Sequence, residues 1–150
     1  MFWIISLIDL KKVYISSDHA GFKLKESIKF YLKKKNYKFI DLGPGNENRV
    51  DYPDYAHKLA KKVKMSKNHV GILICGSGMG MNIAANRHKN IRAAQCFNLK
   101  STKLSRLHND ANIITLGSRL LKKKNVLNFV NVFLNTKFEG GRHTKRIRKI

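Results

Sequence analysis

A thiol beside a glycine loop, two short pairs of titratable or amide side chains, and two arginines near the carboxyl end are the groups of this chain able to do chemistry. Cys75 is followed by Gly76, Ser77, Gly78, Met79 and Gly80. Three glycines in five residues let a backbone turn sharply and bring its N–H groups close to a ligand. Where such a loop opens a helix, unpaired N–H groups and the positive end of the helix dipole converge into an anion site. A thiol at its mouth is favoured as the thiolate, which makes it a base or a nucleophile. The same position also suits an inert buried cysteine. The loop lacks the Gly-Lys-Ser/Thr ending of a nucleotide P-loop, since Met81 and Asn82 follow Gly80. It also lacks the third glycine and the later acidic residue of a dinucleotide fingerprint; Met81 and the segment Cys96, Phe97, Asn98 stand there instead.

The other groups carry two readings each. Asp18-His19 follows a β-prone run, where an aspartate also serves to cap the next helix. His108, before Asn109, is either a proton-transfer group or a residue satisfying the end of a helix dipole. Arg142 and Arg146 are one helical turn apart, which suits bidentate phosphate binding if the tail is helical and a solvated basic tail if it is not.

Positioning these groups requires elements the pattern supplies. Ile72, Leu73 and Ile74 form a wholly apolar, partly β-branched run, as in a strand covered on both faces. Val13 to Ser17, Tyr37 to Leu42, Ile91 to Cys96 and Ile113 to Leu116 read as the other strands. Between them, helical spacing recurs at Leu24, Ile28, Tyr31 and Leu32, then at Ala56, Leu59, Ala60 and Val63 after Pro53. Met81, Ile83, Ala84 and Ala85 read as a small-residue helix packed on the sheet. Leu104 and Leu107 mark a short helix, and Val126, Leu127, Val130, Phe133 and Leu134 mark the last long one. Such alternation predicts an α/β fold: a Rossmann-like five-stranded parallel sheet in a single-domain three-layer α-β-α sandwich. Ligands of such sheets bind at the carboxyl ends of the strands. Asp18-His19, Cys75 with its loop, Asn98 and Arg119 all fall there.

The chain has 150 residues, enough for one domain that buries close to 70% of its unfolded surface. Its formal charge of +22 raises nucleic acid or an acidic membrane as a partner. The lysine runs fall on polar helix faces or ends, however, and the aromatic residues fall at core or loop positions, so neither partner is expected. Two cysteines without CxxC spacing indicate no disulfide framework and no cysteine zinc site, which fits a reduced, cytoplasmic compartment. The apolar start, Phe2 to Ile8, is too short to span a bilayer and has no basic residue ahead of it. Residues 1–11 are therefore read as an N-terminal extension, with residues 12–150 as the domain.

In combination these segments resemble the ribose-5-phosphate isomerase B family, which includes the galactose-6-phosphate isomerase subunits. The matching stretches are Ser17-Asp18-His19-Ala20-Gly21-Phe22, Asp51-Tyr52-Pro53, residues 71–86, residues 104–112, Gly117-Ser118-Arg119 and Glu139-Gly140-Gly141-Arg142-His143. The resemblance implies interconversion of an aldose phosphate and a ketose phosphate through a cis-enediolate, with no metal or organic cofactor. It implies Cys75 as the base moving a proton between C2 and C1. The N–H groups of Gly76, Gly78, Met79 and Gly80 with the Ser77 hydroxyl would hold the enediolate oxygen. His108, assisted by Asp18, would open the sugar ring, and Tyr52 and Asn109 would contact the sugar. His19, Arg119, Arg142 and Arg146 would hold the phosphate. Members without the cysteine place a glutamate where Met81 stands here, so the chain resembles the cysteine-based subgroup. D-ribose 5-phosphate is the expected substrate, with a six-carbon sugar phosphate as the alternative. A homodimer sharing its sites across the interface is the assembly the resemblance implies, with a homotetramer of two such dimers as the alternative.

Overall fold

The computed structural model describes residues 11–150, and the apolar start of the sequence lies outside them. The chain runs β1 (Lys12–Ser17), α1 (Phe22–Lys34), β2 (Phe39–Asp41), α2 (Tyr52–Val63), β3 (His69–Cys75) and α3 (Met79–Ala85). It continues as β4 (Ala93–Gln95), α4 (Leu99–Leu107), β5 (Ile113–Gly117), α5 (Lys123–Asn135) and α6 (Arg142–Ile147). All five strands are parallel, in the order β2-β1-β3-β5-β4. The three-layer α/β fold expected from the sequence is the one formed.

β3 is central because it can be buried on both faces. Ile72, Leu73 and Ile74 are each fully buried, worth about 2 kcal/mol apiece. Val70, Ile72 and Ile74 face a core made with Leu24, Ile28 and Leu32 of α1 and the apolar stripe of α5. Leu73 and Cys75 face the other core, with Ala56, Leu59, Ala60 and Val63 of α2 and with α3. α4 packs on α5. It is opened by a capping box in which the Asn98 side chain accepts from Ser101 N–H. Asn98, a strand-end candidate, thus serves a helix start.

Three expectations shift. β2 and β4 are three-residue strands, shorter than the apolar runs around them, because each is an edge strand with one pairing neighbour. α3 begins at Met79, inside the expected loop. Its Met81, Ala84 and Ala85 pack inward at i, i+3, i+4 spacing, which turns Ile83 out to 68% exposure. In α5 Phe129 joins the buried stripe while Leu127 lies at its edge.

Register decides where the functional residues meet. Ser17 pairs with Ile74 and Cys75 with Gly117, so Asp18, Cys75 and Ser118-Arg119 leave the sheet at one level. The chain reverses its direction of strand addition between β1 and β3. That is the crevice in which open α/β sheets bind ligands.

Candidate active site

The loop after β3 is shaped by its own hydrogen bonds. Gly78 has φ +80°, a left-handed conformation open to glycine at little cost. It thereby aims its N–H at Cys75 Sγ, 3.1 Å away. Met79 N–H donates to Ser77 Oγ at 3.2 Å. These two N–H groups, expected to face substrate, are therefore committed inside the loop, and neither residue lines the cleft. The loop is tied down by Ser118 N–H to the Cys75 carbonyl at 2.8 Å and Arg119 N–H to the Gly76 carbonyl at 2.9 Å.

A cleft of about 280 Å³ opens above it, lined by Asp18, Tyr52, Cys75, Gly76, Ser77, Gly80, Arg119 and Leu120. Asp18 is buried, and its Oδ1 accepts from Gly21 N–H at 3.0 Å. Asp18 is not the cap of α1, whose N-cap is Gly21 with no side-chain cap bond; it closes the turn ahead of that helix instead. Tyr52 stands over Gly80 so closely that a Cβ there would meet its ring at 2.6 Å. Arg119 folds back over Gly76, its Nη1 3.1 Å from where a Cβ would lie. His19 is not among the lining residues; its Nδ1 lies 3.3 Å from Val50 N and 3.2 Å from Val50 O.

His108, Asn109, Arg142 and Arg146 do not line this cleft. The tail is helical, as the arginine spacing requires, and α6 carries both exposed arginines. It docks on the end of α4. Glu139 N–H donates to the Leu107 carbonyl at 3.1 Å, and the His108 and His143 rings stack with centroids 4.3 Å apart. Burial and the charges of His108, Arg142 and Arg146 hold the His143 imidazole below its ordinary pKa, against an opposing pull from Glu139.

Four supporting residues carry no local sequence signal. Gln95 Nε2 donates to the Ser77 carbonyl at 2.7 Å. Ser118 Oγ donates to the Ala20 carbonyl at 2.8 Å, joining the loops after β5 and β1. The buried Arg106 donates to Asp110 Oδ1 at 2.8 Å and to the Thr136 carbonyl at 3.1 Å, bracing the turn that holds His108. Lys25, fully buried, donates to Asp41 Oδ1 at 2.8 Å and to the Pro44 carbonyl at 2.6 Å, fixing the loop that leads to Tyr52. Apart from Asp110, which is four residues from Arg106, each partner lies at least sixteen residues away in sequence, beyond any helical or strand period.

Fold and cleft together define an α/β enzyme domain that presents a thiol, a carboxylate and a guanidinium at a sheet switch point. The chain belongs to the ribose/galactose isomerase family, whose model matches residues 13–150. Ribose-5-phosphate isomerase B of Escherichia coli K12 is 40% identical over 141 residues, covering 94% of this chain and 95% of its own. Among solved structures, ribose-5-phosphate isomerase B of Clostridium thermocellum superposes with a TM-score of 0.90 at 46% identity. That match covers 92% of this chain and 93% of the other. The Mycoplasma genitalium enzyme with bound ribulose-5-phosphate gives 0.89 at 42% identity, covering 92% of each chain. No helix among the described residues is long and apolar enough to cross a membrane.

Proposed function

We propose that this protein is a ribose-5-phosphate isomerase of the cysteine-based type, acting in the cytoplasm within the pentose phosphate pathway. The observation that carries the reading is the cleft that sets the Cys75 thiol beside Asp18, Ser77, Tyr52 and Arg119. Cys75 Sγ takes the C2 proton of the open-chain aldose and returns it to C1. The intervening cis-enediolate develops charge on oxygen beside the Ser77 hydroxyl and the Gly76 and Gly80 backbone. One such preorganised donor is worth roughly 10²- to 10³-fold in rate. His108, with Asp18, moves the proton that opens the furanose ring. Tyr52 and Asn109 hold the sugar, and His19, Arg119, Arg142 and Arg146 hold the phosphate.

The separation of His108, Asn109, Arg142 and Arg146 from the cleft of their own chain supports a homodimer in which each subunit completes its partner's site. A homotetramer would pair two such dimers. Exposed apolar groups offer a surface for it: Met79 and Ile83 share one face of α3, and exposed Phe97 and Leu99 follow the neighbouring β4.

The test is turnover of D-ribose 5-phosphate to D-ribulose 5-phosphate with chelator present, with allose 6-phosphate run in parallel. Chelator-insensitive turnover of the pentose is expected, and preference for the hexose moves the assignment to the six-carbon substrate. Cys75→Ala is expected to lose at least about 10³-fold in kcat with an unchanged circular-dichroism spectrum. Near-normal turnover in that variant removes Cys75 as the base.

A further inference from the structure

The geometry points to a binding site for a borderline transition-metal cation, of the zinc or cobalt class, formed by His108, Glu139 and His143. Their three donor atoms lie within 4.8 Å of one another. Glu139 Oε2 stands 3.7 Å from His108 Nε2 and 3.8 Å from His143 Nε2. Tetrahedral zinc with bonds of about 2.0–2.1 Å holds its ligand atoms roughly 3.4 Å apart, so these two edges close by a few tenths of an ångström. A second observation points the same way. His143 is 94% buried by its 6% exposure, and its Nε2, the atom nearest Glu139, has no hydrogen-bond partner among the described residues. A buried ring nitrogen left without a partner costs free energy that a bound cation recovers.

The donor set selects the metal. Two imidazoles and one carboxylate suit zinc, cobalt or nickel, whereas magnesium and calcium take oxygen ligands. Arg142 and Arg146 on the same helix contribute positive charge, and Glu139 is the anion that offsets them. The His108 and His143 rings are only 14° from parallel. Lone pairs lying in two parallel planes do not meet at one point, so binding requires one ring to turn. His108, with a side chain 37% exposed against 7% for His143, is the one free to do so. Occupancy therefore withdraws His108 from its stacked pose. Resting on the ring-opening role given to His108 above, this makes the cation an inhibitor and not a cofactor.

The probe is Co²⁺ titrated into the chelator-stripped full chain and followed by visible absorption and equilibrium dialysis. One Co²⁺ per chain with tetrahedral bands is expected, displaced by Zn²⁺ and unaffected by excess Mg²⁺. Glu139→Gln and His143→Gln should each lose it. Glu139 is 56% exposed at its side chain, so its replacement leaves the fold intact and its loss of metal reads on the site itself. The control is His57→Ala, which removes the other close histidine pair, His57 Nδ1 and His88 Nε2 at 2.7 Å. Uptake that survives Glu139→Gln and His143→Gln, or that vanishes with His57→Ala, overturns the site. So does absence of uptake. Zn²⁺ is further expected to suppress ribose 5-phosphate turnover reversibly in the wild type and not in Glu139→Gln. Metal bound through these residues with turnover unchanged would leave the site standing and overturn the ring-opening role of His108.

Discussion

Cys75 and Cys96 are both free and buried, at 4% and 1% exposure, and their surroundings differ in kind. Burial pushes the Cys96 thiol up from its usual pKa, with Thr102 and Ser105 opposing, and its Sγ donates weakly to the Ala94 carbonyl. Cys75 instead receives the Gly78 N–H and opens onto the cleft. One thiol is a packing residue and the other lines the cleft, a distinction burial alone does not make. The loop around Cys75 keeps its shape partly through Gln95, which holds the Ser77 carbonyl. Gln95→Ala is expected to lower kcat about tenfold or more with KM changed less, because small displacements of a reacting group are costly in rate. Unchanged steady-state constants would mean the loop is held without Gln95. No pattern around Gln95 announces this role, since it reads simply as the end of a short strand.

Among the elements, the most heavily tied is the segment from α1 to the loop after β2. Lys25 and Lys29 both pair with Asp41 at 2.8 Å. Burial by itself would raise the Asp41 pKa, but hydrogen bonds from Lys25, Lys29 and the Gly43 N–H together hold it below its ordinary 3.8. A carboxyl depressed in the folded state adds stability that is present above the unfolded pKa and is lost as pH falls through the folded one. The clamp is therefore expected to weaken only below about pH 3.8. Lys25→Met removes one partner of a buried pair, a change that costs about 3 kcal/mol or more when nothing compensates. Lys29 remains on Asp41, so a loss near or below that figure is expected by urea denaturation. The variant should also lose the acid-sensitive component contributed by Lys25. Stability equal to wild type at neutral pH would show that the loop is held by packing instead. The helices α1 and α2 were legible because Leu24, Ile28 and Leu32, and Ala56, Leu59, Ala60 and Val63, repeat at helical spacing and are all buried. The clamp joining them to the loop was not, because a lysine in a helix reads as solvated until its partner is known.

At the scale of the whole molecule, the residues proposed for catalysis fall into two separate groups in one chain. The cleft holds Cys75, Asp18 and Arg119, while His108 sits with Glu139 and His143 beside α6. If the proposed dimer joins them, two inactive variants can complement each other. Cys75→Ala mixed with His108→Ala and allowed to exchange subunits should recover about a quarter of wild-type turnover, because half the random dimers contain one intact site of two. No recovery in a mixture shown to form mixed dimers would place His108 and Cys75 in the same subunit's site.

The sequence alone determined the strand order along the chain, the central apolar run of β3, the glycine loop with its thiol, and the family motifs. Those features are written in contiguous residues and short periods, which is the range over which local backbone and burial preferences act. Tertiary structure decided which N–H groups of the loop are already committed, which face of α3 is exposed, and which distant side chains brace the site. It also placed His108 against His143 and Glu139, away from the cleft of its own chain. Each of these depends on strand register and on helices packing across the sheet. Such contacts join residues far apart in sequence, and no local pattern records them.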